Sequence, residues 1–151
     1  MDSESLTEIG AVDWRMVGSH LGLMILAYLL ALPIAWDREH RARGAGLRTF
    51  PLVAVGSCGF MLIGLSVLSG SESYARILYG LITGLGFICG GAILKSEGSV
   101  TGTATAASLW ITGAMGAAVA WQRYEIALML SLVDFLTLRI GAKLKKYSRR
   151  L

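Results

Sequence analysis

LSLVDFLTLR, residues 130 to 139, places an acid, Asp134, inside an otherwise apolar stretch. A carboxyl group there can carry a proton or hold a cation, and it costs about 2.5–3.5 kcal/mol to place at the centre of a bilayer-spanning helix. Two readings stand: a proton or cation site, or a protonated structural acid hydrogen-bonded to a neighbour. Thr83, Ser108 and Thr112 are the candidate neighbours. Arg139, five residues on, lies about 140° round a helix from Asp134, which makes a pair within one helix awkward.

A second constellation is Asp37, Arg38 and Glu39, followed by Arg41, Arg43 and Arg48. Magnesium takes oxygen ligands in near-octahedral geometry and keeps several waters. Asp37 and Glu39 are the local carboxylates, and the arginines around them repel a divalent cation. Internal ion pairing, such as Asp37 with Arg48, is expected over metal binding. The charges also suit helix ends anchored at lipid headgroups, or a cluster that meets a partner.

The third is GLITGLGFICGGAILKSEGSVTG, residues 80 to 102. A phosphate loop needs Lys directly after Gly, between a strand and a helix. Here four residues, AILK, follow Gly91. The dinucleotide fingerprint fails too, since three residues separate Gly86 from Gly90. What remains is Gly80 with Gly84 and Gly86 with Gly90, two GxxxG pairs. In lipid, helices associate by close backbone approach through small residues, so the third helix is expected to be central. A glycine-lined ion path is the alternative. Gly113 and Gly116 give the fourth helix a similar packing surface. No arrangement for nucleophilic or acid–base catalysis stands out, so no enzyme activity, cofactor or metal site is expected.

The elements that position these residues follow from composition. Of 151 residues, 54% are hydrophobic and 16% charged, with a mean hydropathy of +0.61, against about 25% charged in an ordinary soluble domain. Five apolar runs, 17–36, 50–68, 77–94, 103–121 and 126–142, have the length of membrane helices. They do not alternate as barrel strands would. Cys58 and Cys89 fall inside apolar runs and read as small packing residues. The expected fold is an all-α integral membrane protein with five transmembrane helices.

Charge sets the orientation. Arg38, Arg41, Arg43, Arg48, Lys95, Arg139 and the basic tail from Lys143 fall on one side of five crossings; Arg15, Arg76 and Arg123 fall on the other. Positive-inside bias places the N-terminus outside and the C-terminus in the cytoplasm. The acidic start does not suit a cleavable signal. The expected organisation is an acidic extracytoplasmic segment, 1–16, a membrane domain, 17–142, and a basic cytoplasmic tail, 143–151. The tail suits anionic lipid. Nucleic acid is excluded as a partner, because the basic residues flank spans and lack interleaved aromatics.

R-x-x-G-L-R-T from Arg43 to Thr49, GLGFICGGAILK from Gly84 to Lys95, and V-x-G-x-x-T-A-A-S-L-W from Val100 to Trp110 occur in that order. Together they resemble the membrane domain of the MgtC/SapB family over about residues 17–140. The motif positions are Asp37, Arg38, Gly46, Leu47, Arg48, Thr49, Gly84, Gly86, Gly90, Gly91, Lys95, Gly102, Thr105 and Trp110. Many family members carry Glu where Asp37 stands, and Asp134 lies outside the motif. The resemblance covers the membrane domain only, without the soluble C-terminal domain of the best-known member. It implies bacterial inner-membrane residence and a link to magnesium limitation. Members are often described as magnesium transporters. The best-known one, a virulence factor, looks like a regulator of other membrane proteins, including the F-type ATP synthase. The expected function is therefore a regulator acting through helix–helix contacts in the lipid bilayer, self-associating as a homo-oligomer. The alternative is a magnesium or proton transporter subunit with Asp134 on the path.

Overall fold

The computed structural model describes residues 13–41, 45–96 and 99–148. The acidic segment 1–12, Arg43, Glu97 and the last three residues lie outside them. Five helices account for most of the fold: α1 (Trp14–Arg41), α2 (Thr49–Val67), α3 (Ser71–Gly91), α4 (Thr103–Ala120) and α5 (Tyr124–Ser148). The first four are long and apolar enough to cross a membrane. Helix α5 is of spanning length but carries Asp134 and Arg139, and it runs on through the basic stretch beyond residue 142 without a break. Between α3 and α4 lies an antiparallel hairpin, β1 (Leu94–Ser96) and β2 (Ser99–Thr101), with Lys95 opposite Val100. The sequence reading had only a connection there.

Local chemistry explains the boundaries. The Asp13 carboxylate accepts hydrogen bonds from the backbone N–H of Arg15 (2.9 Å) and Met16 (3.4 Å), satisfying two free donors at the start of α1. Helix α3 begins six residues before its apolar run. Glu72 and Arg76 pair at 2.8 Å one turn apart, with the acid at the helix start where the dipole favours it. Gly102 enters α4 with φ of +86° and accepts from the Ala106 N–H at 2.8 Å. A Cβ at this position would collide with the Ala92 carbonyl. Only glycine meets both demands.

Helix α4 forms the centre of the bundle. Of its most apolar 18-residue stretch 67% is buried, against 6% for α3. The expectation of a central third helix is therefore corrected. On α3 only Leu85 and Cys89 are buried, while Tyr79 and Phe87 are 74% and 88% exposed. A Cβ added at Gly80, Gly84, Gly86 or Gly90 would meet nothing within 4 Å. These glycines pack against no neighbour among the described residues. On α4 the glycines do pack: Gly113 faces the Leu85 side chain, and Gly116 lies against the Ala54 carbonyl and Ser57 of α2.

Two core layers stack along the bundle. One joins Ala27, Ala54, Cys58, Met61, Met115 and Val119. The other joins Ile34, Ala35, Phe50, Cys89, Leu109 and Leu138, at the end where α1 and α5 finish and α2 and α4 begin. Both cysteines are free thiols buried in these layers.

Candidate functional site

Next to the second core layer, α1, α4 and α5 bring a charged cluster into the interior. Asp37 and Arg38 close α1 and are 4% and 8% exposed. A carboxylate near a helix C-terminus opposes the helix dipole and needs cationic partners. Asp37 pairs with Arg38 Nη2 at 2.8 Å from Oδ2 and with Arg139 Nε of α5 at 3.6 Å from Oδ1. Arg48 is exposed at the head of α2, so the expected pair of Asp37 with Arg48 is replaced by one with Arg38 and Arg139. Arg48→Ala should accordingly change the melting temperature in detergent very little, within about ±0.5 kcal/mol of stability.

Asp134 is 3% exposed. Its Oδ2 accepts a 2.5 Å hydrogen bond from the Ser108 hydroxyl of α4. Of the three candidate partners Ser108 is the one it meets. Thr112 donates to the Ser108 carbonyl at 2.8 Å, and Thr83 donates to Tyr79 on the outer face of α3. The Arg38 guanidinium is near enough to act electrostatically on the Asp134 carboxylate. Its Nε is buried with no acceptor among the described residues. One helix turn away the Ser131 hydroxyl donates to the Leu30 carbonyl at 2.7 Å, pinning α5 to α1.

Two acids, two arginines and a hydroxyl thus meet where three helices converge, and the formal charges of the four ionisable groups cancel. The Arg139–Asp37 pair ties α5 to α1 and the Ser108–Asp134 bond ties α4 to α5, which locks the three helices in register. Among the described residues no three His, Cys, Asp or Glu come together as metal ligands would. Replacing Ser108 by Ala leaves a buried carboxylate without its donor and should lower stability by about 1–3 kcal/mol. Thermal unfolding in detergent measures it.

The remaining motif residues shape the ends of helices. Glu39 reaches across the α1–α2 connection to accept from the Leu47 N–H at 2.9 Å, its carboxylate lying against Gly46. The Gly46 carbonyl accepts from Thr49 and Phe50 to start α2. Thr105 is buried on α4, and Trp110 is half-exposed. Gly84, Gly86, Gly90, Gly91 and Lys95 are exposed. The sequence reading missed Arg139 as a partner of Asp37. Its signal was an arginine left within an apolar run, which calls for an acid on another helix.

A bundle of spanning-length apolar helices with its charges paired inside defines a multi-pass membrane protein. The chain belongs to the MgtC family, whose model matches residues 24–147. It is 34% identical over 124 residues to the Escherichia coli K12 protein named "Putative magnesium transporter YhiD", covering 78% of this chain and 58% of that protein. It is 36% identical over 138 residues to SrpB of Synechococcus elongatus, covering 80% of this chain and 75% of SrpB. Against MgtC of Brucella abortus identity is 38% over 103 residues, covering 68% of this chain and 43% of that protein. The chain therefore spans somewhat more than half the length of YhiD. No solved structure matches it.

Proposed function

We propose that this protein is a five-span module of the bacterial inner membrane that serves magnesium homeostasis by docking onto another membrane protein. The N-terminus lies outside and the C-terminus in the cytoplasm, as the charge bias requires. The observation that carries the reading is α3. A whole spanning helix rides on the outside of the bundle with its glycines bare. Between α2 and α3 runs an apolar groove of about 940 Å³, floored by Gly56, Gly80 and Gly84. Such a surface lets a second backbone approach closely, which is how helices recognise one another in lipid. The partner is another inner-membrane protein, the F-type ATP synthase being the first to test, and a second copy of this chain can use the same surface.

Gly84→Leu tests this. With nothing within 4 Å of the added Cβ, the melting temperature in detergent should hold or rise, since Gly costs about 1 kcal/mol relative to Ala in a helix. A photo-crosslinker at Ile88, in cells starved of magnesium, should give a heterologous adduct that Gly84→Leu removes. Adducts to a second copy alone, or none, would overturn docking onto another protein.

Asp134 favours a second reading, transport. It is buried, bonded to Ser108 and within reach of the Arg38 charge, as an intramembrane proton or cation site would be. Flux of Mg²⁺ or H⁺ in proteoliposomes that disappears in Asp134→Asn would establish a path and displace the docking reading. Absence of flux from folded, oriented protein would leave Asp134 a structural acid.

A further inference from the structure

A groove of about 490 Å³ separates α1 from α5 at the end where both helices finish. Pro33 and Trp36 of α1 and Phe135 of α5 supply its apolar lining, and Asp37, His40 and Arg139 its polar lining. Lys143, one turn beyond Arg139 on α5, is exposed on the same face. From this we infer that the groove binds one anionic phospholipid, with its phosphodiester on Arg139 and an acyl chain along Trp36 and Phe135. The inference rests on the membrane-spanning reading, with this end of the bundle at a headgroup layer.

Arg139 is built for the role. Its Nε is 3.6 Å from Asp37 Oδ1 and its guanidinium carbon lies 5.3 Å from the centre of the Phe135 ring. The carboxylate on one edge and the aromatic face hold the guanidinium in place. Arg139 meets Asp37 through Nε, and its side chain is 54% exposed. A fixed fork of N–H donors matches two phosphate oxygens. Asp37 does not spoil the site for an anion, because Arg38 already pairs with it at 2.8 Å. The buried cluster of Asp37, Arg38, Arg139 and Asp134 is formally neutral, and the exposed Lys143 adds one positive charge beside the groove. His40 gives its Nδ1 to the Trp36 carbonyl at 2.9 Å. That leaves Nε2 for a headgroup hydroxyl. Trp36, 60% exposed, has the aromatic character found at membrane–water boundaries. An apolar lining, an aromatic at the boundary and a forked cation in the polar lining follow the outline of one lipid molecule.

The test uses the full chain, delipidated in detergent, titrated with phosphatidylglycerol, phosphatidylcholine or inorganic phosphate. Bound lipid is counted by native mass spectrometry and thermal stability is read alongside. The expected result is one retained phosphatidylglycerol per chain and a rise in melting temperature. Arg139→Gln should lose roughly tenfold or more in affinity, the scale of one charge-assisted hydrogen bond. Arg139→Lys keeps the charge beside Asp37 and carries the test should the glutamine variant unfold. It should bind more weakly than wild type, because a point charge replaces a fork. Arg76→Gln, a change to an exposed arginine at the far end of the bundle, should bind as wild type does. Equal binding of phosphatidylcholine, or undiminished phosphatidylglycerol binding by both Arg139 variants, would overturn the proposal. So would a full effect from inorganic phosphate, which would make the site one for a free anion. Partner docking concerns α2 and α3, so failure here leaves that reading standing, and failure of the crosslinking leaves this one.

Discussion

Asp37→Ala is expected to lower stability by about 3–5 kcal/mol, the cost of leaving a buried charge without its partner. Arg38, 8% exposed, has its Nη2 bonded to Asp37 and its Nε without an acceptor among the described residues. Removing the carboxylate takes away the hydrogen-bonded partner of that buried guanidinium and leaves it only the longer-range field of Asp134. Arg139 suffers less, since it is half-exposed and can turn outward. The effect should therefore depend on Arg38. Replacing Asp37 by Leu and Arg38 by Met together removes both charges and should recover much of the loss, as apolar substitutes for a buried pair often do. A double-mutant cycle on melting in detergent measures the coupling. If the double variant is as unstable as Asp37→Ala, the cluster contributes through groups other than Arg38.

Gly116→Val should produce the other large effect. The added Cβ is directed at the Ala54 carbonyl of α2 and lies 3.0 Å from the Ser57 Cβ. A backbone oxygen cannot rotate away as a side chain can, so α2 and α4 must separate. Overpacking of this kind costs about 1–3 kcal/mol, and more where the obstacle is backbone. Gly113→Ala meets the Leu85 side chain instead, and a change of rotamer there should confine the loss to about 1 kcal/mol or less. Ranking Gly116→Val, Gly113→Ala and Gly84→Leu by melting temperature checks the order from most to least damaging. An equal loss at Gly84 would mean that α3 is covered in the purified protein.

Much of this architecture could be read from residue order. Long runs of apolar residues fix five helices, because hydrocarbon tolerates no unpaired backbone. Asp134 and Ser108 could be matched as an acid and a nearby hydroxyl, although only the fold chose among Ser108, Thr83 and Thr112. The centre of the bundle was harder to see. Glycine permits close approach but does not say whether anything approaches, so GxxxG pairs on α3 and small residues on α4 carried the same signal. Large side chains tell them apart. Helix α3 turns Tyr79, Ile82, Phe87 and Ile88 outward, as a lipid-facing helix does, whereas α4 has little bulk beyond Leu109, Trp110, Ile111 and Met115. The pairing of Asp37 was invisible for another reason. Arg139 is more than a hundred residues away, and Arg48, much nearer in sequence, faces outward. The hairpin around Lys95 was missed because strands of three residues leave almost no periodic pattern.

The two buried thiols make the protein convenient to label. Cys58 is fully enclosed and Cys89 is 8% exposed, so neither offers its sulfur to a maleimide in the folded state. The natural sequence therefore serves as its own cysteine-free background, and one cysteine introduced on the bare face of α3 becomes the single reactive handle. A spin label or fluorophore placed there would report on the α3 surface without any change to the core.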